Sequence, residues 1–259
     1  MIPLRRSSGQ WLPMATLVAF AAALASGVAL SASQSPEPKP PKKAQRAPDV
    51  HFDGLVRDDM FAGMAGDREA LDRAMKLCAD ALAKDPQHAE AMVWHGVGLG
   101  FLSGDAFRAG DTAKGMQLRA QGTAEMDAGV ALEPDSITVL IPRGAALLAS
   151  SKRIPDPARA RAALEKGLAD YEKVFVIQHG ATVKMSVHSR GELLSGLAEG
   201  WYRDGDEDKA RNYMNLIVQL LPNTAYATRA QAFLASAPQP QRLDWNCIGC
   251  HMDAPAKTP

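Results

Sequence analysis

Residues 191–222 read GELLSGLAEGWYRDGDEDKARNYMNLIVQLLP. Two amphipathic helices can be traced in this stretch, with apolar residues recurring at spacings of three and four on either side of Gly205. Leu194, Leu197, Ala198 and Trp201 form the stripe of the first helix, and Ala210, Met214 and Ile217 that of the second. Pro222 stops the second helix because its ring cannot continue the backbone ladder. The small residues Ala198 and Ala210 let the two helices approach closely, and Trp201 is expected to fill the groove between them.

Working outward, the same ending recurs. ALAKDP closes at Pro86, VALEP at Pro134 and VQLLP at Pro222. Each is an aliphatic last turn followed by a proline that restarts the chain. No period-2 strand stands out between about 57 and 236, so the expected class is all-α.

On these residues the chain resembles the tetratricopeptide repeat. Residues 191–222 match its helix A, turn and helix B positions. The unit ending at Pro86 matches in helix B only, through Ala74, Ala81 and Pro86, while Gly96 and Gly144 take the small-residue position of the next two A helices. The chain is also similar to bacterial tetratricopeptide-like proteins with motifs like VWHG (93–96), IPRGA (141–145) and HSRGELL (188–194). The resemblance implies an α-solenoid of stacked helical hairpins over residues 51–236, whose curved face docks peptides or proteins, and supplies no activity. The spacing is uneven, at 48 residues from Pro86 to Pro134 and 88 from Pro134 to Pro222, against a repeat of about 34. Longer helices or loops account for the excess, with the glycine-rich stretch Gly104–Gly115 among them.

The flanks have different compositions. Arg5 and Arg6 precede an uncharged run from Trp11 to Leu30, then the small residues Ser31 and Ala32. That layout makes residues 1–32 an export signal or, if retained, an N-terminal membrane anchor through 11–30. Either outcome places the body outside the cytoplasm, in the periplasm. Residues 33–50 carry five prolines and several lysines without an apolar cluster, the composition of a solvated linker.

Of the 29 basic and 29 acidic side chains, six bases and two acids lie in residues 1–49, which leaves the rest of the chain acidic by four charges. Nothing is left over to neutralise phosphates, so no nucleic-acid partner is expected.

The chemistry lies in the tail, residues 237–259, an irregular segment after the last helix. Cys247, Cys250 and His251 form Cys-x-x-Cys-His, the attachment signature of c-type haem. Two thiols spaced by two residues add to the two haem vinyl groups, and the adjacent histidine is held beneath the iron as its proximal ligand. One covalent haem c is therefore the expected cofactor. The competing readings are a zinc site, which lacks a second ligand pair nearby, a thioredoxin-like dithiol, which lacks its fold, and a plain disulfide. Trp245 either packs on the porphyrin edge or anchors the tail to the last helix.

Eight residues follow His251. A sixth iron ligand would accordingly come from the helical body or another subunit, since the adjacent Met252 cannot reach the opposite face. His51, His88, His95, His179 and His188 are the histidine candidates, beside several methionines. His95 and His188 stand out because each lies within or at the start of an expected A helix, although a structural role is the plain alternative for either. Cys78, in an expected helix 69–83, reads as a small buried apolar residue.

The function expected is that of a periplasmic monohaem protein: an electron-transfer carrier or accessory subunit whose scaffold docks a redox protein or membrane complex. The alternative is an envelope interaction or assembly scaffold in which the haem has a minor role. An enzyme with an open iron position is a third reading, with no acid–base constellation to support it.

Overall fold

The computed structural model describes residues 51–178 and 185–235, and these contain nine α-helices and no strand. The helices are α1 (Phe52–Met64), α2 (Arg68–Lys84), α3 (Ala89–Arg108), α4 (Thr112–Leu132), α5 (Ile137–Ser151), α6 (Pro157–Ile177), α7 (Val187–Asp204), α8 (Glu207–Leu220) and α9 (Ala225–Ala235). The expected leader or anchor, the linker, the tail with its Cys-x-x-Cys-His motif, and His179 all lie outside the described residues.

Helices pair in chain order: α1 with α2, α3 with α4, α5 with α6 and α7 with α8, while α9 packs on α8. Short turns fold each pair back on itself. An aspartate opens the second helix of every pair. The carboxylates of Asp67, Asp111, Asp156 and Asp206 accept the backbone N–H three residues on, at 3.0, 3.0, 2.7 and 3.0 Å. Each thereby satisfies a donor that the helix itself cannot. Three of these aspartates follow a glycine at positive φ: Gly66 at 115°, Gly110 at 82° and Gly205 at 96°. Only glycine takes that backbone without a Cβ penalty. The fourth turn runs through Ile154 and Pro155 instead.

These capping aspartates resolve the uneven period. The four capping aspartates lie 44, 45 and 50 residues apart. Pro86, Pro134 and Pro222 follow α2, α4 and α8, but no proline closes α6 at Ile177, so the 88-residue interval spans two pairs. The excess over a shorter unit is in the helices, which reach 20 and 21 residues in α3 and α4. Gly104–Gly115 is thus mostly helix and not a loop: Gly104 lies in α3 and Gly115 in α4, with a break only at the Gly110 turn.

The core follows the quoted stretch. Leu194, Leu197, Ala198, Ala210, Met214 and Ile217 are fully buried. Trp201 meets α8 and also makes a contact beyond its own pair. It is half-buried and reaches back to α6, where its indole N–H donates to Glu172 Oε1 at 2.7 Å, while Tyr213 donates to Oε2 of the same carboxylate at 2.7 Å. The Lys209 ammonium lies 3.6 Å from the Trp201 ring centroid, a cation–π contact. Trp201 therefore ties one pair to the next, because its N–H needs an acceptor that the apolar groove does not offer.

Gly96 and Gly144 mark close approaches, as expected. A Cβ on Gly96 would lie 2.5 Å from the Gly122 carbonyl oxygen on α4, and one on Gly144 would lie 2.6 Å from the Tyr171 ring on α6.

Candidate functional site

Cys247, Cys250, His251 and Trp245 fall outside the described residues, so the body is where a sixth ligand or a docking surface can be sought. Four of the histidine candidates are described, and each has a partner.

His88 precedes α3 and caps it. Its Nδ1 accepts the Ala91 N–H at 3.4 Å, and its ring meets the edge of Phe52 at a centroid distance of 4.9 Å. His51 Nδ1 lies 3.3 Å from Glu90 Oε1. The buried Glu90 also accepts the Asp53 N–H at 2.9 Å and the Thr138 hydroxyl at 2.8 Å, so it joins the start of α1 to α3 and α5. Burial pushes the Asp53 carboxyl upward, with the Glu90 charge adding to the push and Arg57 opposing it. His188 is exposed at the start of α7, with Nδ1 3.3 Å from the Tyr226 hydroxyl, which in turn donates to Glu192 at 2.9 Å.

His95 stands apart. It lies in α3 and faces α4, with Nδ1 2.5 Å from Glu125 Oε2 and a side chain 18% exposed. Glu125 is held in turn by Gln121, whose amide donates to Oε1 at 2.9 Å. An ionised carboxylate only accepts, so a neutral His95 ring carries its proton on Nδ1 and leaves Nε2 bare. That is the arrangement of an imidazole ready to coordinate a metal.

Cys78 is fully buried in α2, as its sequence neighbourhood suggested. Burial pushes its thiol up to about 12, with the Glu125 charge adding to the shift. A thiol so far from ionising is neither a nucleophile nor a metal ligand. The native chain is therefore expected to show no Cys78 reaction with a thiol-exchange reagent at pH 8, and full reaction once unfolded in guanidinium. Rapid labelling of Cys78 in the folded protein would contradict the burial.

A charged cluster among the described residues joins α4, α5 and α6. Arg143, in the IPRGA motif, donates twice to Asp170 at 2.8 and 2.6 Å and once to Asp127 at 3.0 Å. Lys166 donates to Asp127 at 2.8 Å. Asp170 is 3% exposed, and burial pushes its carboxyl upward while Arg143 pulls it down. Other charges cap helix ends: Arg203 donates to the Leu148 carbonyl at 3.1 Å and to Ser151 at 2.8 Å, and Arg190 donates to the Leu220 carbonyl at 3.2 Å. Sequence reading attached no role to these residues. The only signal in the chain was an arginine or aspartate inside an otherwise apolar helical stripe.

Among the described residues, no group of three His, Cys, Asp or Glu side chains could hold a metal ion. No described helix is long and apolar enough to cross a membrane. No protein-family model matches the chain, and no curated protein matches it.

Proposed function

We propose that this chain is an exported monohaem c-type protein whose helical body docks a redox partner and whose tail carries the electron-transferring group. The observation that carries the reading is the Cys247-x-x-Cys250-His251 motif, in a chain that begins with a basic, then apolar, then small-residue segment of the export type. Covalent haem in bacteria is attached outside the cytoplasm, so the two ends of the sequence agree on a periplasmic location. Cys247 and Cys250 would anchor the haem by thioether bonds and His251 would hold the iron, while Trp245 would pack against the porphyrin or fasten the tail to the body. When bound, the haem supplies reversible one-electron chemistry. The donor chemistry of the body fits that group. Cys78 is buried and kept protonated, so it does not compete for the vinyl groups.

The body itself is read as a tetratricopeptide-like solenoid. This is supported by the buried Leu194, Leu197, Ala198, Ala210, Met214 and Ile217, by the left-handed Gly205 turn, and by the recurring Gly-Asp starts of α2, α4 and α8. Hairpins of 44–50 residues are longer than the 34-residue family unit. Such stacks bind protein partners, which suits a carrier that must recognise a redox protein or membrane complex.

Expression with a haem-ligation system, followed by denaturation and a pyridine haemochrome spectrum, tests the reading. The expected result is one covalent haem per chain in the wild type and none in the Cys247→Ala/Cys250→Ala double variant. A wild-type chain without covalent haem would sink it. The all-helical body favours a second reading, an envelope assembly scaffold. That reading gains if the double variant keeps full biological activity.

A further inference from the structure

We propose that Arg119 of α4 and Arg159 of α6 form a binding site for a carboxylate on an acidic segment of a partner protein, a site that works with or without the haem. The carrying observation is a ladder of side chains across the seam between α4 and α6. Lys166 meets Asp127 at 2.8 Å, and Lys173 meets Asp135, just beyond α4, at 2.8 Å. From one rung to the next the chain advances eight residues on the first side and seven on the second, in the same direction. One further rung back, by the same eight and seven residues, are Arg119 and Arg159. Burial pushes the Arg119 guanidinium down from its ordinary value, and the charge of Arg159 adds to the push. Two rungs thus pair a base with an acid, while the third brings two bases together.

Among the described residues neither guanidinium has a carboxylate partner, whereas Arg161, two residues beyond Arg159, is shared by Glu165 and Asp204. Arg119 is nonetheless held in place. Its guanidinium lies 4.5 Å from the Phe107 ring centroid, and that ring packs so closely on Gly115 that a Cβ there would lie 2.8 Å from it. A guanidinium seated on an aromatic ring keeps N–H donors for an oxyanion. A carboxylate between Arg119 and Arg159 would accept charge-assisted bonds from both and cancel their repulsion. The same seam already holds one such bridge, since Asp127 accepts from Arg143 at 3.0 Å and from Lys166 at 2.8 Å.

The surroundings select an isolated carboxylate over an anionic lipid surface. The exposed acids Asp111, Asp156 and Glu165 flank the two arginines along the chain. A flat sheet of negative charge would meet those acids and be repelled, while a single acidic side chain reaches the arginines between them.

The test is binding of a fluorescently labelled hexaglutamate peptide to the full chain, read by anisotropy at ionic strengths of about 0.02 M and ~0.15 M. The wild type is expected to bind, more weakly at the higher ionic strength. Arg119→Gln and Arg159→Gln are each expected to weaken binding about fivefold or more, the size of one exposed charge pair lost. Arg159→Glu completes the rung from within the chain and is expected to abolish binding. Lys84→Gln, which removes the same charge from the exposed end of α2, leaves binding unchanged. Arg159→Gln is also expected to melt no earlier than the wild type, because it removes a repulsion. No binding by the wild type, equal weakening in Lys84→Gln, undiminished binding in both glutamine variants, or an earlier melt of Arg159→Gln overturns the assignment. So does capture of phosphatidylglycerol vesicles through Arg119 and Arg159 without binding of the peptide, which would make the pair a lipid contact.

Discussion

Arg143→Met is expected to destabilise the helical body by about 3–5 kcal/mol, the range for removing one partner of a buried ion pair. The guanidinium side chain is 12% exposed and that of Asp170 only 4%, so its loss strands a carboxylate in the core without its hydrogen-bonded cation, with only the weaker pull of Lys166 remaining. Asp170→Asn should cost less, because Arg143 keeps its bond to Asp127 and the asparagine oxygen can still accept.

The pH dependence separates the two variants. Burial already pushes Asp170 upward in the wild type, and removing Arg143 removes the larger part of the opposing pull. A carboxyl whose folded value lies above its unfolded one takes up a proton in the folded state first, so stability rises as pH falls through the folded value towards the unfolded one. The Arg143→Met deficit is therefore expected to be largest near neutral pH and to shrink on acidification towards the ordinary carboxylate range. Urea unfolding of both variants at pH 7 and pH 5 checks this. A deficit that grows on acidification would contradict it.

Gly96→Ala and Gly100→Ala are expected to have opposite signs, although they make the same change four residues apart in one helix. At Gly96 the new methyl would lie 2.5 Å from the Gly122 carbonyl oxygen and 2.7 Å from the Met126 side chain. Met126 can turn away but the α4 backbone cannot, so α3 and α4 must separate along a tightly packed seam. Overpacking of this kind costs about 1–3 kcal/mol, and a backbone obstacle places Gly96→Ala at the upper end. At Gly100 nothing lies within 4 Å of the added carbon. There alanine only restricts the unfolded chain and should stabilise by roughly 0.5–1 kcal/mol. Chemical denaturation midpoints of the two variants decide the matter. A neutral Gly96→Ala would mean that the seam is looser than its geometry indicates.

Much of the architecture was legible in residues 191–222, because helix periodicity, a turn glycine and a stopping proline are local properties of the chain. The uneven spacing of the prolines has an equally local reason. Prolines mark the ends of α2, α4 and α8 but not of α6, whereas the aspartates that cap the second helix of each pair recur every 44–50 residues. A cap is written in the sequence as surely as a proline: Gly-Asp dipeptides at 66–67, 110–111 and 205–206 open the second helix of three pairs and Pro155-Asp156 that of the fourth, although a further Gly-Asp, at 104–105, lies inside α3. The bond of Trp201 to the preceding pair was not legible for another reason. Its apolar bulk is evident from the chain, but the Glu172 carboxylate that draws its N–H towards α6 lies 29 positions away.

By itself the sequence determined the helical class, the burial of Cys78 and the chemistry proposed for Cys247, Cys250 and His251, since each follows from residue type and short-range spacing. The tertiary structure alone decided that His95 meets Glu125 across α3 and α4. It also decided that Gly100, unlike Gly96, has open space around it, and that Arg143 meets Asp170 and Asp127 from neighbouring helices. Those properties depend on distances between segments far apart in the chain. Packing sets such distances, and no local pattern encodes them.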